Sequence, residues 1–353
     1  MPIWASVVPA PCKAALPRRV LVNNVSDRPF TEHLGFSRQM PDEVIAQQAQ
    51  MLANRVVKNL KHLQGRMRKA KIGAFRLYDR DIPEIRAAVD WYEGHLLLHE
   101  YVRDQVPPHW LPAVAEVLGQ RLQIPSARLH LRKRTTGDQR YERLGEQGER
   151  VAISEGDVEF LCNLTDYQDT GLFPDHRLTR QWVRKQAQGK DLLNLFAYTG
   201  SFSLQAAKGG AASTTSVDLS STYLDWARDN FAHNGLLAPE HRFIRSDVSQ
   251  FLARTAQGRE RWGVIVLDPP SRSTSTAMRQ VFDIQSDHRQ LIEMCLPLLL
   301  PGGTLWFSTN HQRFEPALQG LAVAECVEKT VLSVPEDYRN RTVHRLWQLT
   351  MPA

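Results

Sequence analysis

The spacing of apolar residues predicts a small α+β domain in the first part of the chain. Apolar positions recur at helical spacing through NRVVKNLKHLQGRMRKAKIG, residues 54–73, which predicts a long helix that begins near Pro41. Shorter apolar runs bounded by polar residues follow, as is typical of strands. The predicted strands are AFRLYD, HLLLHEYV and LHLRKR, with a helix around residues 112–122. We assign residues 41–160 to this domain.

A polar segment closes the domain. RKRTTGDQRYERLGEQGERV, residues 132–151, predicts a hairpin whose Thr-Gly-Asp tip projects outward. Residues 1–40, in contrast, are interrupted by prolines and show no clear period. We therefore treat residues 1–40 as an N-terminal extension without an assigned role.

From about residue 186 the pattern changes to apolar strands that alternate with amphipathic helices. The candidate strands are LLNLFA, STTSVDL, HRFIRSD, VIVLDP and GTLWFST, followed by two more apolar runs, CVEKTVLSV and VHRLWQLT. This alternation predicts an open, doubly wound parallel sheet, which we assign to residues 161–353. Such a sheet binds its ligand at the carboxyl ends of the strands.

The composition is that of a globular protein with two domains. The 353 residues are 42% hydrophobic and 23% charged, which is sufficient for two substantial cores. No apolar run reaches the roughly 18 residues that a membrane helix needs. In the N-terminal segment the basic pair Arg18 and Arg19 follows the apolar part, unlike a signal peptide. We expect a cytoplasmic protein that does not bind membranes.

The four cysteines form no recognisable metal or redox motif. Cys12, Cys162, Cys295 and Cys326 are far apart and lack the C-x-x-C or Cys/His spacing of a metal site. We therefore expect buried or incidental thiols in a reducing compartment, and no bound metal.

Positive charge is concentrated in the first part of the chain. Residues 1–150 contain 24 Lys and Arg against 16 Asp and Glu, whereas residues 151–353 contain 20 against 22. This imbalance predicts that the first part binds a polyanion. An ordinary solvated helix face is the alternative, but residues 54–73 contain no acid. The predicted phosphate contacts are Arg55, Lys58, Lys61, Arg66, Arg68, Lys69, Arg132, Lys133 and Arg134.

A turn after the first strand of the second domain resembles a cofactor loop. Tyr198-Thr199-Gly200 follows this strand, and Asp218 ends the next strand 18 residues further on. A carboxylate in that position can accept hydrogen bonds from both hydroxyls of a ribose. A dinucleotide loop needs three glycines around the pyrophosphate, whereas this turn has one. S-adenosylmethionine contains a ribose but no phosphate, and the single glycine therefore favours it over a nicotinamide cofactor.

The next two strands also end in residues suited to this cofactor. Ser246-Asp247 ends the third strand, where a carboxylate can bind the exocyclic amine of adenine. The fourth strand ends in Asp268-Pro269-Pro270-Ser271, where two prolines form a rigid wall without N–H donors. Each feature alone is equally explained as a corner or a helix cap. Four features in the right order favour a cofactor site.

These residues and several longer segments resemble the RlmK family of bacterial 23S ribosomal RNA guanine-N7 methyltransferases. The similarity runs from about Ala53 to the C-terminus and is most specific in NLTDYQDTGLFPDHR. Other matching segments are NRVVKNLKHL, FRLYDRDIPE, YERLGE, NLFAYTGSFSLQAAKGGA, VDLSSTYLDWARDNFAHNGL, DPPS, FDIQSDHRQLI and GGTLWFSTN. The resemblance implies a class I, Rossmann-like methyltransferase domain with a mostly parallel seven-stranded sheet, preceded here by the small basic domain. It also implies that S-adenosylmethionine methylates N7 of one guanine near the peptidyl transferase region.

Two features depart from the family. Fused members carry an N-terminal RNA-binding module and a second methyltransferase that makes N2-methylguanine, and neither is recognisable in this chain. Residues 1–40 match no segment of the family. Whether a helper protein supplies the missing half in trans is open, as is the oligomeric state.

The resemblance places Asp175, His176 and Arg177 at the edge of the cofactor. Asp175 can cap the following helix and Arg177 can bind the methionine carboxylate; alternatively, all three are ordinary residues of a helix start. Phe196 or Tyr198 can stack on adenine or on a flipped guanine, or simply fill the core. The full set of expected cofactor contacts is Asp175, His176, Arg177, Asn194, Phe196, Tyr198, Thr199, Gly200, Asp218, Ser220, Asp247 and Asp268.

Methylation of guanine N7 needs no proton removal, because N7 carries a free lone pair. We therefore expect catalysis by alignment, with Asp268, Pro269 and Pro270 positioning the base and no general base. The main rival is ribosomal RNA cytosine-C5 methylation, which uses a cysteine thiolate. The strand expected to carry that cysteine reads Phe307-Ser308-Thr309-Asn310 here. A non-catalytic RNA-binding protein is a further alternative, which the intact acids at the strand ends disfavour.

Overall fold

The computed structural model of the chain describes residues 40–101, 106–134, 145–146, 148–273 and 282–353. The N-terminal extension up to residue 39 and most of the hairpin predicted at residues 132–151 lie outside the described residues.

A four-stranded sheet covered by two helices forms the first part of the fold. The elements are helix α1 (Asp42–Lys69), strands β1 (Ala74–Asp79), β2 (Ala87–Tyr92) and β3 (His95–Tyr101), helix α2 (Trp110–Leu122), a short 3-10 helix (Ser126–Arg128) and strand β4 (Leu129–Arg134). The strand order is β1-β2-β3-β4, in which β3 and β4 are parallel and the other pairs antiparallel. The sequence pattern missed β2, because AAVDWY is buried on both faces and does not alternate between apolar and polar residues.

The two faces of this sheet pack against different partners. Leu96 and Leu98 lie in one core cluster with the apolar stripes of α1 and α2. Leu97, which points to the opposite face, lies in a second cluster with the hairpin formed by β5 (Val151–Glu155) and β6 (Val158–Cys162). Sequence analysis did not predict this hairpin. It packs between the small sheet and the helices of the larger one.

A seven-stranded sheet forms the second part of the fold. Its strands are β7 (Asp191–Leu195), β8 (Ser213–Asp218), β9 (His241–Arg245), β10 (Trp262–Leu267), β13 (Leu299–Thr309), β14 (Glu325–Glu328) and β15 (Arg345–Thr350), in the order β14-β15-β13-β10-β7-β8-β9. Five strands are parallel, and β14 and β15 are antiparallel to their neighbours. Every residue of β10 is buried, because helices cover both faces of such a sheet. The predicted class I, mostly parallel sheet is confirmed.

Helices connect the strands of this sheet. They are α3 (Arg177–Gln186), preceded by a 3-10 turn (Pro174–His176), α4 (Ser201–Lys208), α5 (Ser221–His233), α6 (Val248–Thr255), α7 (Ile284–Cys295) and α8 (Thr330–Ser333). Two short strands, β11 (Arg272–Ser273) and β12 (Phe282–Asp283), pair between β10 and α7. The apolar run CVEKTVLSV divides between β14 and α8. Among the described helices, none has the length and apolar character required to cross a membrane.

Asp337 connects the small sheet to the larger one. Its side chain is fully buried, accepts a hydrogen bond of 2.9 Å from the backbone N–H of Arg76 in β1, and pairs with the guanidinium of Arg177 at the start of α3. Arg76 also pairs with Asp90 at 2.8 Å, and its guanidinium stacks over the ring of Tyr338 at 4.6 Å. The contact between the two sheets is therefore a buried, fully partnered group of charges.

Replacing Asp337 by alanine should leave Arg177 buried without its partner. Removing one member of a buried ion pair costs about 3–5 kcal/mol, and we expect the free energy of unfolding to fall by that amount in urea titrations. The matched control is Glu336→Ala. Glu336 is 52% exposed and pairs with Arg66 on the surface, so its loss should cost less than about 1 kcal/mol. Equal losses in the two variants would contradict the structural role of Asp337.

Candidate active site at the carboxyl edge of the parallel sheet

The loop between β7 and α4 is a strained turn. Phe196 and Tyr198 have φ angles of 55° and 51°, a region that L residues rarely adopt, and Gly200 has a φ of 73°. A Cβ atom on Gly200 would lie 2.9 Å from the Cβ of Ala227 in α5. Strain of this kind costs about 1–3 kcal/mol per residue and is concentrated at ligand sites. The turn is therefore a tight corner whose strain suggests a functional role.

Asp218 at the end of β8 holds this turn in place. Its two carboxylate oxygens accept hydrogen bonds of 2.9 Å from the backbone N–H groups of Tyr198 and Ser220. Burial raises the pKa of Asp218, although backbone N–H groups around the carboxylate oppose the shift. A carboxylate oxygen accepts up to two hydrogen bonds. The carboxylate as a whole therefore retains acceptor capacity for a ligand hydroxyl.

Two of the predicted cofactor contacts point their side chains into the protein instead. Asn194 donates a hydrogen bond of 3.0 Å to Ser203 in α4, and both side chains are buried. Thr199 is also buried and donates to the backbone oxygen of Gly171 at 2.6 Å. At Gly171, with a φ of 92°, any side chain would overlap the ring of Trp226. Asn194 and Thr199 support the loop and do not face its outer side.

Ser220 and Asp247 are helix caps. The Ser220 hydroxyl accepts from the backbone N–H of Tyr223 at the start of α5, at 3.3 Å. One oxygen of Asp247 accepts from the backbone N–H of Gln250 at the start of α6, at 3.0 Å. The cap was the alternative to a cofactor contact at Asp247, and cofactor contacts of Asp247 and Ser220 stay predictions.

A row of aromatic rings borders the strained turn. Phe173 is 40% exposed, its ring lies 5.5 Å from that of Tyr198, and Tyr198 contacts Tyr223 at 4.5 Å. Phe196, by contrast, packs against Phe282 and the core of the sheet. Phe196 and Tyr198 are both half-buried, and stacking of either ring on a planar ligand stays a prediction. Sequence analysis assigned no role to Phe173.

Two stacked histidines lie next to the turn. The rings of His176 and His344 are 3.9 Å apart and inclined by 15°. His344 hydrogen-bonds Asp175 at 2.8 Å and Ser333 at 2.9 Å. Asp175 therefore binds His344 and does not cap α3 as expected. Nδ1 of His176 is buried and has no hydrogen-bond partner among the described residues.

The surroundings keep His176 neutral. Burial and the neighbouring His344 lower its pKa to about 4, and this outweighs the opposite effect of Asp268 and Asp175. Burial alone would raise the pKa of Asp175. The neighbouring His176, His344 and Arg76 lower it by more than burial raises it, so the pKa lies well below the usual range. The group thus combines a carboxylate with a neutral imidazole whose buried Nδ1 has no hydrogen-bond partner among the described residues.

The same three side chains bring metal-ligating atoms together. Ligand atoms of Asp175, His176 and His344 lie within 4.8 Å of one another. However, both nitrogens of His344 are already hydrogen-bonded. Imidazole lone pairs lie in the ring plane, so two nearly parallel stacked rings cannot both direct a lone pair at one ion between them. We interpret the group as a hydrogen-bonded cluster, and the expectation of no metal stays a prediction.

Arg177 does not face a ligand. Its side chain is buried and is committed to Asp337 and to the backbone oxygen of Ala74. The expected bond to a methionine carboxylate is therefore corrected. The reason is tertiary, because Asp337 lies 160 residues further along the chain.

Asp268 lies at the end of β10, at the centre of the edge. Its Oδ1 accepts a hydrogen bond of 2.6 Å from Ser308 in β13, and its Oδ2 lies 3.9 Å from Nε2 of His176. The side chain is 28% exposed. Of the two prolines that follow, Pro269 is buried and Pro270 is half-buried. This carboxylate is therefore fixed on one side and open on the other.

A second side-chain bond links the ends of β10 and β13. Ser271 donates to the side-chain oxygen of Asn310 at 2.5 Å. The parallel register pairs Leu267 with Phe307 and so brings the residues after them side by side. Sequence analysis did not find these partners, because they are about 40 residues apart and only strand pairing joins them.

The predicted phosphate contacts are not equivalent. Arg132 is buried and donates to the backbone oxygens of Leu164 and Tyr167, so we no longer assign it to RNA. Four others form ion pairs: Arg55 with Asp81, Arg66 with Glu336, Lys133 with Glu100, and Arg134 with Asp169. The remaining four are exposed and make no ion pair within the described ranges: Lys58, Lys61, Arg68 and Lys69.

Comparison with known proteins identifies the family of this chain. A family model for S-adenosylmethionine-dependent methyltransferases matches residues 74–340. The chain belongs to this family of methyltransferases. S-adenosylmethionine is therefore the cofactor, as the sequence predicts.

Several relatives are similar to this chain over most of its length. The ribosomal RNA large subunit methyltransferase K of Neisseria meningitidis is 44% identical over 307 residues, which are 84% of this chain and 86% of the relative. Ribosomal RNA large subunit methyltransferases K/L of Syntrophotalea carbinolica and Hahella chejuensis are 41% and 43% identical over 95% and 87% of this chain. The chain spans 47% and 43% of those two, or about half their length. These similarities confirm the resemblance to the RlmK family. The match over 95% of the chain extends into residues 1–40, so the expectation that this segment matches no part of the family is wrong.

Solved structures show the same fold. The crystal structure of SMU.776, a methyltransferase complexed with SAH, has a TM-score of 0.70 at 21% identity and covers 86% of this chain and 82% of that chain. A SAM-dependent methyltransferase from Streptococcus mutans has a TM-score of 0.67 at 21% identity, over 86% and 81% of the two chains. At this identity the likeness concerns the fold alone.

The carboxyl edge of the methyltransferase fits its cofactor. Asp218 retains acceptor capacity for ribose hydroxyls, Gly200 lets α5 pack closely against the turn, and Nδ1 of His176 lacks a partner among the described residues. Oδ2 of Asp268 lies 3.9 Å from Nε2 of the imidazole. When bound, S-adenosylmethionine supplies a methyl group on a sulfonium centre.

Replacing Asp218 by alanine should weaken S-adenosylmethionine binding about 10- to 100-fold, because hydrogen bonds from the ribose hydroxyls to a carboxylate would be lost. Isothermal titration calorimetry gives the dissociation constant, and the melting temperature of the free protein reports any loss of folding. The control is Asp225→Ala on α5, a carboxylate that is 69% exposed. Wild-type affinity in the Asp218 variant would remove this residue from the cofactor site.

Acidification should destabilise the methyltransferase through His176. Its folded-state pKa of about 4 lies below the 6.5 of a free histidine, so between these values the unfolded chain binds more protons. The contribution of neutral His176 is complete above pH 6.5 and is lost as the pH falls towards 4. In urea unfolding between pH 6.5 and 4.5, His176→Gln should lose stability less steeply than wild type, by up to about 1.4 kcal/mol per pH unit. Parallel curves would contradict a buried neutral imidazole.

Proposed function

We propose that this methyltransferase transfers a methyl group from S-adenosylmethionine to N7 of one guanine in 23S ribosomal RNA. The observation that carries the proposal is the half-open carboxylate of Asp268, which Ser308 holds at two adjoining strand ends whose residues include no cysteine. The names of the relatives support a large-subunit ribosomal RNA substrate. The resemblance to the RlmK family supplies the guanine and its N7 position.

The geometry suits a reaction that needs alignment and little else. Guanine N7 already carries a lone pair, so the protein has only to hold N7 in line with the methyl group and exclude water. The open Oδ2 of Asp268 can accept a hydrogen bond from an N–H group on the Watson–Crick edge of a flipped guanine. Pro269 and Pro270 offer no competing N–H donors. His176 is neutral and therefore does not add a positive charge next to the positively charged cofactor.

The cysteine-dependent alternative fits the site less well. Attack on C6 of cytosine needs a thiolate at the edge of the sheet, where β13 ends in Ser308-Thr309 and Asn310 follows. Burial raises the pKa of the Cys162 and Cys295 thiols, which disfavours their thiolates. Cys326 lies on β14, and burial raises its pKa as well. Cys12 is outside the described residues.

The proposed site combines the sequence predictions that retain a suitable position. Asp218 binds the ribose, Tyr198 stacks on a ring, His176 contacts the cofactor through Nδ1, and Asp268 orients the guanine. Phe173, which sequence analysis overlooked, completes the aromatic border.

The test is to incubate the protein with labelled S-adenosylmethionine and 23S RNA that lacks its native N7-methylguanine, as free RNA and as assembled subunits. Borohydride and aniline cleavage then maps N7-methylguanine. We expect cleavage at one guanine, reduced about 10- to 100-fold by Asp268→Asn, because a hydrogen bond to a charged group is lost in the aligned complex. Asp225→Asn on the surface of α5 is the control.

Label in cytosine would contradict the N7 assignment. Label in an exocyclic amine of guanine would keep the base but contradict the position. Absence of label with both substrates, despite normal cofactor binding, would contradict transfer to this RNA by the chain alone.

A further inference from the structure

One face of α1 presents positively charged side chains that have no partners among the described residues. Lys58, Lys61, Arg68 and Lys69 are exposed and make no ion pair or side-chain hydrogen bond within the part of the chain that the structure describes. We call these four residues the basic face. In contrast, Arg55 and Arg66 on the same helix are engaged with acidic side chains.

The orientation of the basic face is fixed by the opposite side of the helix. Leu52, Val56, Leu63 and Met67 are buried in the core of the small sheet. With 3.6 residues per turn, the basic residues lie on the side away from this stripe. No acidic residue occurs between residues 44 and 78. The basic face therefore has no local carboxylate to neutralise it.

Gly65 lies in the middle of the basic face. The positions 58, 61, 65 and 68 are spaced by three and four residues, so they form one row along the helix. A glycine inside a helix destabilises it relative to alanine. Here neither packing nor conformation requires it: a Cβ atom would meet nothing within 4 Å, and its φ is not among the positive values. The glycine is thus unfavourable for the helix without an offsetting contact within the described chain.

We propose that the basic face binds the sugar–phosphate backbone of RNA and that Gly65 is the point of closest approach. Lysine and arginine side chains on both sides of Gly65 contact phosphates. The missing Cβ lets a ribose or phosphate reach the helix backbone between them. Charge complementarity selects a polyanion, and the identity of that polyanion as RNA rests on the proposed function.

A helix-stabilising role alone does not account for the pattern. Arg68 and Lys69 lie in the last turn of α1, where positive charge interacts favourably with the helix dipole. Lys58 and Lys61 lie two to three turns earlier, beyond the range of that effect. Gly65 is not explained by the dipole at all. Contact with an external ligand therefore explains the row as a whole better than stabilisation of the helix does.

The experiment measures filter binding of a 23S RNA transcript to the full chain at several salt concentrations. Gly65→Ala and Gly65→Gln are compared with Lys58→Ala, Lys61→Ala and a control lysine variant, Lys185→Ala, on α3. The melting temperature and the S-adenosylmethionine affinity of each variant report whether the fold is intact.

We expect Gly65→Ala to raise the melting temperature by about 1–3 °C and yet to weaken RNA binding several-fold, with a larger loss for Gly65→Gln. These variants remove no charge, so the slope of log affinity against log salt should change little. Each lysine variant should reduce that slope by about one. Lys185→Ala should bind as wild type.

Undiminished RNA binding by Gly65→Gln would overturn the proposal, as would absence of RNA binding by the wild type or equal binding of anionic phospholipid vesicles. These outcomes are separable from failure of the proposed function. RNA binding that depends on Gly65, without any N7-methylguanine, would support the basic face and contradict the reaction. Methylation of the RNA by Gly65 variants whose RNA affinity is unaltered would support the reaction and contradict the role of the basic face.

Discussion

A buried carboxylate links the two sheets through charged partners, and the position of the active-site edge depends on it. Asp337 binds the backbone of β1 through Arg76 and the start of α3 through Arg177. A charge buried without partners costs several kcal/mol, so this arrangement is stable only when both halves of the fold are in place. Because His176 directly precedes Arg177, the same contact determines where the imidazole lies relative to Asp268. The attachment of the small sheet and the shape of the site are therefore one structural feature.

The site combines a strained turn after β7 with a carboxylate that is held in place after β10. The turn through Phe196 and Tyr198 has an unfavourable backbone conformation, and the hydrogen bond from the Tyr198 N–H to Asp218 helps to hold it. In the same way, Ser308 restrains one oxygen of Asp268 and leaves the other open. Carboxylates at both positions support the fold with some of their acceptor capacity and keep the rest for ligands. This is preorganisation, which lets binding align reactants without first ordering the protein.

The basic residues of the small domain divide into two groups by their partners. Arg55, Arg66 and Arg132 are engaged with groups of the protein, whereas Lys58 and Lys61 have no partner among the residues that the structure describes. Net charge alone treats these residues alike. A surface that binds phosphate needs charges that are free as well as numerous, because an ion pair must first be broken before it can contribute. The contacts of each side chain therefore describe the RNA surface better than a count of lysines and arginines.

The sequence by itself determined the parallel sheet, the long first helix and the placement of Asp218 and Asp268 at strand ends. These follow from local periodicity and from the rule that parallel strands share one carboxyl edge. Only the tertiary structure decided the partners of Arg177, Arg132, His176 and Asp268. The hairpin β5–β6 and strand β2 also emerged only there, because their burial comes from neighbours on both sides. The hydrophobic pattern indicates which faces of an element are buried. The role of a buried polar side chain depends instead on which distant segment lies beside it in the folded protein.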